Sequence, residues 1–202
     1  MPDLHLETES GGIVAGIDEV GRGPWAGPVV AAAVIIDTDR LTGDLASIIN
    51  DSKKLSAAKR SEIALRLPDC ARIGLGAATP AEIGELNILG ATFRAMERAV
   101  MALGVMPDLA LVDGNRLPAL PCPARTIIKG DSISLSIAAA SIVAKVTRDR
   151  LMARLGARYP GFGWERNSGY GTAEHRDALK RLGVTPHHRK SFAPILKMLS
   201  PS

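Results

Sequence analysis

The amino-acid sequence predicts an α/β protein in which a mixed sheet is flanked by helices and followed by a helical C-terminal appendage. Two patterns support this fold class. Short apolar segments come first and then alternate with segments of helical periodicity, and the predicted elements beyond residue 134 are all helices joined by loops. With 46% hydrophobic residues among 202, the chain can bury a full core. We expect no transmembrane helix, because the longest unbroken apolar run, 29–36, is too short.

Five short apolar segments predict strands. They cover residues 13–18, 29–36, 72–78, 109–112 and 125–128. Turn-forming residues bound them, as Pro28 and Asp37 do for the second segment. The segments 21–28 and 160–171 are too rich in Gly and Pro for anything but loops.

Five further segments predict helices. They cover residues 56–67, 91–103, 134–159, 172–182 and 193–199. Ser56 is a suitable N-cap for the first of these. The second carries Phe93, Met96 and Val100 at helical spacing and stops at Gly104, and the third is long and rich in Ala.

The formal net charge of +4 conceals an uneven distribution. Residues 1–100 contain 10 basic and 14 acidic side chains, whereas residues 101–202 contain 15 and 7. From Lys145 onward there are 12 basic and 4 acidic residues. A basic surface of this kind suits a polyanion such as nucleic acid, although a solvated helical face rich in arginine gives the same count. The aromatic content of 3% argues against a stacking platform for single strands.

Acidic residues follow three of the predicted strands where each strand ends. They are Asp18 and Glu19 after the first strand, Asp113 after the fourth and Asp131 after the fifth. Such positions border the crevice beyond the strand ends, where converging carboxylates repel one another unless a cation lies between them. Oxygen ligands without His or Cys favour Mg²⁺ or Mn²⁺, and two such ions can promote phosphodiester hydrolysis. Each acid alone could be an ordinary turn residue, but the adjacent pair Asp18-Glu19 is poor turn chemistry.

The segment 21–26 matches the G-x-G-x-x-G/A fingerprint of dinucleotide-binding proteins. That fingerprint works only where a helix follows and its N-terminus holds the pyrophosphate. Here Pro28 and a β-branched run follow, so the dinucleotide interpretation fails. The glycines still allow the backbone to approach a ligand closely.

Taken together, six segments resemble the type 2 ribonuclease H family, bacterial ribonuclease HII. They are 16–24 (GIDEVGRGP), 51–55 (DSKKL), 112–115 (VDGN), 129–132 (KGDS), 140–149 (ASIVAKVTRD) and 168–172 (SGYGT). They occur in the order and spacing of that family, and the resemblance extends from about residue 13 to residue 195. It implies a ribonuclease H-like fold with a five-stranded mixed sheet. It also implies an endonuclease that cuts the RNA strand of RNA–DNA hybrids and cuts 5′ to single ribonucleotides in duplex DNA.

The resemblance assigns roles to the four carboxylates. Asp18, Glu19, Asp113 and Asp131 would be catalytic and would bind two divalent ions, Mn²⁺ or Mg²⁺. One ion would position the attacking water and the other would stabilise the 3′ leaving oxygen, which leaves a 5′-phosphate. Asp149 is a rival for the fourth position, but it lies in mid-helix among arginines, and we expect a structural role for it.

The resemblance also implies substrate contacts. The loop that would read the 2′-hydroxyl through its backbone consists of Gly21, Arg22 and Gly23. Tyr170 would pack on the sugar at the RNA–DNA junction, unless it merely fills a gap in the core. Three lysines would contact phosphates and set register, namely Lys53, Lys54 and Lys145. The alternative for these lysines is exposed loop charges and a snorkelling helix residue. We expect His175 to begin a helix rather than take part in catalysis.

The predicted organisation is a catalytic domain at 13–155 and a C-terminal helical region at 156–202 that completes the substrate-binding cleft. The expected partners are RNA–DNA hybrids and DNA duplexes that contain ribonucleotides, bound by a cytoplasmic monomer acting in ribonucleotide excision repair. Two alternatives are a non-catalytic nucleic-acid-binding module and another nuclease of the same fold, such as a junction resolvase or a type 3 ribonuclease H. A pure binder gains nothing from carboxylates that face phosphates. Gly21, Arg22 and Gly23 with Tyr170 favour type 2.

Overall fold

A five-stranded sheet of order β3-β2-β1-β4-β5 forms the centre of the protein. The computed structural model describes residues 1–200. The strands are β1 (Val14–Val20), β2 (Val29–Ile36), β3 (Ala71–Ala78), β4 (Leu109–Asp113) and β5 (Ala124–Ile127). Strand β2 runs antiparallel to β1 and β3, whereas β1, β4 and β5 are mutually parallel. The predicted fold class, a mixed sheet flanked by helices, is therefore confirmed.

Helices cover both faces of the sheet. The helices are α1 (His5–Ser10), α2 (Gly43–Ile48), α3 (Ala57–Arg66), α4 (Pro80–Met101), α5 (Leu135–Arg158), α6 (Trp164–Asn167), α7 (Ala173–Leu182) and α8 (Ala193–Leu199). Successive residues of β2 enter different cores: Ala31 packs with α4, and Ala32 packs with α3 and α5. This two-sided burial explains why β2 is an unbroken apolar run. Across residues 1–200, no helix combines the length and apolarity that crossing a bilayer requires.

The sequence placed the end of the first strand two residues too early. Strand β1 continues through Val20, because β2 pairs with it as far as the partners Val20 and Val30. Asp18 and Glu19 therefore lie inside the strand rather than beyond its end. Strand β2 has the predicted ends, and β3, β4 and β5 differ from prediction by a single residue at one or both ends.

Helix α4 begins 11 residues before the predicted start of the second helix, at Pro80 rather than residue 91. Thr79 and Glu82 form a reciprocal capping box at its N-terminus. Asn87 interrupts the helix with a left-handed backbone (φ 57°), which breaks the apolar periodicity before residue 91. The predicted loop 160–171 contains α6, and the short helices α1 and α2 lie in segments without helical periodicity. The predicted boundary at 155/156 falls within α5.

Helix α5 crosses β1 at Gly16, where the two backbones touch. A Cβ atom at Gly16 would overlap the backbone of Ser136 and Ile137 in the first turn of α5. The first turn is also held by α1, because Glu7 Oε1 accepts hydrogen bonds from the Ser136 amide (2.9 Å) and the Ser134 hydroxyl (2.6 Å). Since α5 lies directly on β1, its later turns pass along the end of the sheet that carries the acidic residues.

We predict that Gly16→Ala destabilises the protein by about 3 kcal/mol, because a methyl group must separate α5 from β1. The melting temperature measured by circular dichroism should fall by roughly 6–12 °C. Gly84→Ala is the matched control, because Gly84 is an exposed helical residue with no atom within 4 Å of an added Cβ. That change should stabilise the protein by up to about 1 kcal/mol. An unchanged melting temperature for Gly16→Ala would contradict the close packing of α5 on β1.

Candidate active site

Four carboxylates lie at one end of the sheet. Asp18 and Glu19 belong to β1, Asp113 is the last residue of β4, and Asp131 lies in the 3₁₀ turn Gly130–Ser132 that follows β5. Their proximity follows from the topology, because β1, β4 and β5 are adjacent and parallel. Asp18 and Asp131 are only 6% and 7% exposed. The structure thus brings together the four acids that the sequence singled out.

Asp113 occupies the centre of this group. It is close enough to interact electrostatically with Asp18, Glu19 and Asp131. Its Oδ1 accepts the Gly130 amide at 2.7 Å, which fixes the turn carrying Asp131 against the end of β4. Asp113 therefore links the carboxylates of β1 to the carboxylate that follows β5.

Burial and mutual repulsion make three of the carboxylates, Asp18, Glu19 and Asp113, costly to ionise. Burial raises the pKa of Asp18 well above its ordinary value, and the negative charges of Glu19 and Asp113 raise it further. Burial also raises the pKa of Glu19 and Asp113, against the opposing effects of Arg22 and the Gly130 amide respectively. The site carries a surplus of negative charge that a bound cation would relieve.

The carboxylates approach the end of the sheet from both of its faces. Asp18 and Glu19 are consecutive strand residues, so their side chains alternate. Asp18 interacts with the Ser141 hydroxyl of α5, whereas Glu19 lines a cleft with Phe93 and Met96 of α4. In the described part of the chain, no three His, Cys, Asp or Glu side chains converge closely enough to hold a metal ion. The oxygen-only donor set fits a hard divalent cation, and binding one must draw these side chains together.

Lys53 supplies a positive charge to this acidic site. Its Nζ lies 3.8 Å from Asp131 Oδ2, although the side chain is 85% exposed. Desolvation lowers the pKa of Lys53, but the carboxylates of Asp131 and its neighbours more than offset this, so the pKa is raised. Asp51 holds the 3₁₀ turn Ser52–Lys54 by accepting the Lys53 amide at 2.9 Å. Lys54 follows on the same turn and is exposed.

The loop 21–28 borders the carboxylates. Arg22 turns its guanidinium back to Glu19, with 3.3 Å between Nη1 and Oε1, and within this segment Arg22 and Gly23 are exposed whereas Gly21 is buried. The carbonyl groups of the loop face inward to two buried arginines, Arg148 and Arg189. The predicted basic surface from Lys145 onward included both arginines, and that prediction is wrong for these two because they are buried.

A second loop, residues 168–172 between α6 and α7, presents Tyr170 beside the loop 21–28. The side chain of Tyr170 is half exposed, and its Cε1 atom lies 3.4 Å from the position of a Cβ on Gly23. The carbonyl of Gly169 accepts the amide of Trp25 at 2.8 Å, which ties the two loops together. The structure thus places Tyr170 next to the glycine-rich segment that the sequence analysis linked to it.

A buried histidine pair supports Tyr170 from behind. His175 Nδ1 donates to the Tyr170 carbonyl (2.9 Å), and its Nε2 accepts from the Trp164 indole (3.2 Å) and from His188 Nε2 (3.0 Å). His188 Nδ1 accepts the Thr185 amide at 2.9 Å, so the proton of His188 is on Nε2. Burial lowers the pKa of both histidines, to about 4 for His188. His175 lies in the first turn of α7, as predicted, and both rings are neutral structural groups.

Lys145 and Asp149 form an ion pair on α5. Lys145 Nζ donates to Asp149 Oδ1 at 2.8 Å, and the same oxygen lies 3.3 Å from the Ser168 hydroxyl. Asp149 therefore anchors Lys145 and the loop before Tyr170, and its contacts lie outside the group of four carboxylates. The pair brings a cationic side chain to the edge of the site between α5 and the second loop.

Three residues that hold the loops of the site in place were not predicted from the sequence: Arg148, Arg189 and His188. One signal was available for Arg148. It lies on a line of residues spaced four apart on α5 that are otherwise small or apolar and are all buried: Ala144, Arg148, Met152 and Gly156. A charged residue on such a stripe indicates a buried guanidinium. For Arg189 and His188 no comparable periodicity exists.

Comparison with known proteins gives a consistent result. The family model described as ribonuclease HII matches residues 15–195. A ribonuclease HII from Paramagnetospirillum magneticum is 63% identical, over 98% of this chain and 99% of its own length. One from Rhodospirillum rubrum is 61% identical, over 100% of this chain and 94% of its own. The crystal structure of ribonuclease H2 from Pyrococcus horikoshii OT3 superimposes with a TM-score of 0.76 at 30% identity, covering 92% of this chain and 96% of that one.

We predict that Asp18→Asn stabilises the metal-free protein by about 1 kcal/mol at pH 8, or roughly 2–4 °C in melting temperature. A carboxyl with a raised pKa in the folded state lowers folding stability when it is ionised, and Asn keeps the acceptor for the Glu19 amide (2.7 Å). The gain should shrink as the pH falls below the raised pKa and vanish at the ordinary pKa of an Asp side chain, because the unfolded chain is then protonated as well. Asp39→Asn, in an exposed turn at the other end of the sheet, should change nothing. A lower melting temperature for Asp18→Asn in metal-free buffer would contradict the prediction.

Proposed function

The chain belongs to the ribonuclease HII family, a family of metal-dependent endoribonucleases, and from that premise we propose that it cuts on the 5′ side of single ribonucleotides embedded in duplex DNA. Its ribonuclease H activity on RNA–DNA hybrids follows from the family. The products would carry 5′-phosphate and 3′-hydroxyl ends. One observation supports the finer proposal: the four carboxylates lie beside two adjacent loops, one glycine-rich and one bearing Tyr170, and a single ribose would contact both loops.

The four carboxylates would hold two divalent ions, Mn²⁺ or Mg²⁺. When bound, these ions would activate the attacking water and neutralise charge on the leaving 3′ oxygen. Asp113 is suited to contribute to both ions, because it is the member that interacts with all three others. Lys53, now 3.8 Å from Asp131, would exchange this carboxylate for a substrate phosphate. The raised pKa values of Asp18, Glu19 and Asp113 mean that their ionised forms are unfavourable without a cation. A bound cation would stabilise these ionised forms.

Selection of the ribonucleotide would rest on the 2′-hydroxyl group. The backbone of Gly21, Arg22 and Gly23 would approach the ribose at Gly23, which is exposed and lacks a Cβ. Gly21 is buried, and both its φ of 91° and the overlap that a Cβ would make with Arg148 require glycine. Tyr170 would pack on the sugar of the next nucleotide, with its ring adjacent to Gly23. Aromatic packing on a sugar needs no base-specific contact, so the enzyme would act at any sequence.

The remaining contacts would be to phosphates. Lys54 is exposed beside Lys53, and Lys145 is held at the rim by Asp149. Apart from Arg148 and Arg189, 10 of the 12 basic residues from Lys145 onward are available to a polyanion. The segment 156–202 would complete the cleft, because it contributes Tyr170 to a site otherwise built from 13–155. We expect a cytoplasmic monomer that acts in ribonucleotide removal. A non-catalytic binding module would be poorly served by four carboxylates facing phosphates.

We predict that the protein with Mg²⁺ or Mn²⁺ cleaves a DNA duplex with one ribonucleotide on its 5′ side. Asp113→Asn should reduce the rate roughly 100- to 1,000-fold or more, because it weakens the carboxylate that links the other three. Cleavage is measured on an end-labelled duplex in a denaturing gel. Asp39→Asn provides the matched control and should cut at the wild-type rate. Absence of cleavage by the wild type, or equal cleavage of an all-DNA duplex, would refute the proposal.

We predict that Tyr170→Ala lowers cleavage of the single-ribonucleotide duplex roughly 10- to 100-fold, the range expected when an aromatic packing contact is removed. Tyr170→Phe keeps the ring and should retain most of the activity, which separates packing from hydrogen bonding by the hydroxyl. The comparison uses kcat/KM for both variants under the same metal conditions. An undiminished rate for Tyr170→Ala would remove this residue from the proposed site.

A further inference from the structure

Two arginines are buried in this protein without a carboxylate partner. Arg148 is 1% exposed and Arg189 is 0% exposed. In the chain from residue 1 to residue 200, neither belongs to any ion pair. Burial lowers the pKa of Arg148 to about 10 and that of Arg189 to about 9, and the charge of Arg148 adds to the second shift. Burying two like charges side by side is unfavourable, so their partners must compensate.

The hydrogen-bond acceptors of the Arg189 side chain are all backbone carbonyls of the loop 21–28. Its Nη2 donates to the carbonyl of Gly21 (2.5 Å), its Nη1 to that of Arg22 (2.7 Å) and its Nε to that of Gly27 (2.9 Å). One guanidinium at the C-terminal end of the chain thus holds the first and the last part of the loop together.

Arg148 holds the end of the loop 21–28 and the neighbouring loop that presents Tyr170. It donates to the carbonyls of Ala26 (3.1 Å) and Pro28 (2.9 Å), and to the carbonyl of Ser168 (2.9 Å) in the loop that presents Tyr170. The two arginines therefore contact five loop carbonyls, and Arg148 also fixes the distance between the two loops.

Binding of the carbonyls determines where the amide groups point. In a trans peptide the C=O and N–H groups point in opposite directions. The carbonyls of Gly21 and Arg22 face Arg189, so the N–H groups of Arg22 and Gly23, which share those peptides, face away from it. Within residues 1–200 these two N–H groups donate to no protein acceptor. A charged donor on the carbonyl also polarises the peptide and strengthens its N–H as a donor.

The outward side of these peptides is the side of the proposed ribose. Gly23 is adjacent to the Tyr170 ring, and Arg22 is paired with Glu19 of the carboxylate group. The unpartnered amides therefore lie between the group that would pack on the sugar and the groups that would bind the metal ions.

We propose that Arg189 is a positioning residue for ribose selection: its guanidinium orients the 21–22 and 22–23 peptides so that the Arg22 and Gly23 amides donate to a 2′-hydroxyl oxygen. The inference rests on the proposed function and assigns a specific residue to its selectivity. A deoxyribose offers these amides no acceptor. They would then remain unsatisfied in a closed complex, which disfavours that complex. Arg148 supports the arrangement by holding the loop at a fixed distance from Tyr170.

The test compares Arg189→Met, which keeps the length and removes the donors, with Arg189→Lys, which restores the charge and some of the donors. For the single-ribonucleotide duplex, Arg189→Met should lower kcat/KM about 100-fold, the loss typical of a misplaced site. Arg189→Lys should recover about one tenth of the wild-type value. The affinity of the protein for an all-DNA duplex, measured by fluorescence anisotropy in EDTA, should change less than about 2-fold in both variants, because phosphate contacts are elsewhere. Arg40→Met removes the same charge from an exposed turn and should match the wild type.

Each result decides the inference. A folded Arg189→Met protein with kcat/KM within 3-fold of the wild type overturns it, as does an equal loss of affinity for the all-DNA duplex. If Arg189→Met does not fold, Arg189→Lys is compared with the wild type by amide hydrogen exchange. Faster exchange at Trp25 and Gly27, loop amides that are hydrogen-bonded in the wild type, together with lower cleavage supports the inference, and unchanged exchange overturns it. Failure of the proposed function differs from these results, because the wild type itself would then leave the single-ribonucleotide duplex uncut.

Discussion

The loop 21–28 contacts both the carboxylates at the end of the sheet and two arginines that form no ion pair with them. Asp18, Glu19 and Asp113 have raised pKa values, and Arg148 and Arg189 have lowered ones. The carbonyls of the loop accept hydrogen bonds from Arg148 and Arg189, whereas Arg22 of the same loop pairs with Glu19. The carboxylates stay available to cations and the outward amides stay available to substrate. Direct salt bridges would stabilise the metal-free fold and disable both.

Helix α5 sets the positions of these groups relative to one another. Its first turn touches β1 at Gly16, and Ser141 then meets Asp18. Further along the same helix, Lys145 reaches the rim and Arg148 enters the loop. This helix packs along β1 and β2 and also contacts the loops, so it fixes the positions of the loops relative to the sheet. The proposed C-terminal region depends on this helix, since the predicted boundary at 155/156 lies within it.

The sequence was informative wherever a local pattern decides the structure, and less so where tertiary contacts decide it. The strands, the capped helices and the four carboxylates were predictable from apolar runs, caps and strand ends. The inclusion of Asp18 and Glu19 in β1 was not, because it depends on pairing with β2. The first half of α4 was not predicted, because Asn87 interrupts the helix and the apolar periodicity does not continue across it. The burial of Arg189 depends on a contact with a loop more than 160 residues away in sequence, and no local pattern records such a contact.

The low aromatic content is consistent with this division of tasks. A protein that binds single strands needs a ring for each base, whereas a protein that selects one hydroxyl in a duplex needs rigid backbone donors. Three aromatic rings, Trp25, Phe162 and Trp164, pack around the histidine pair, and Tyr170 is the aromatic residue that is exposed most among the described residues. His175 donates to its carbonyl and Arg148 holds the preceding Ser168 carbonyl, so buried polar groups fix the ring's position. Under the proposed function, selectivity would therefore depend on buried groups that position the loops from behind.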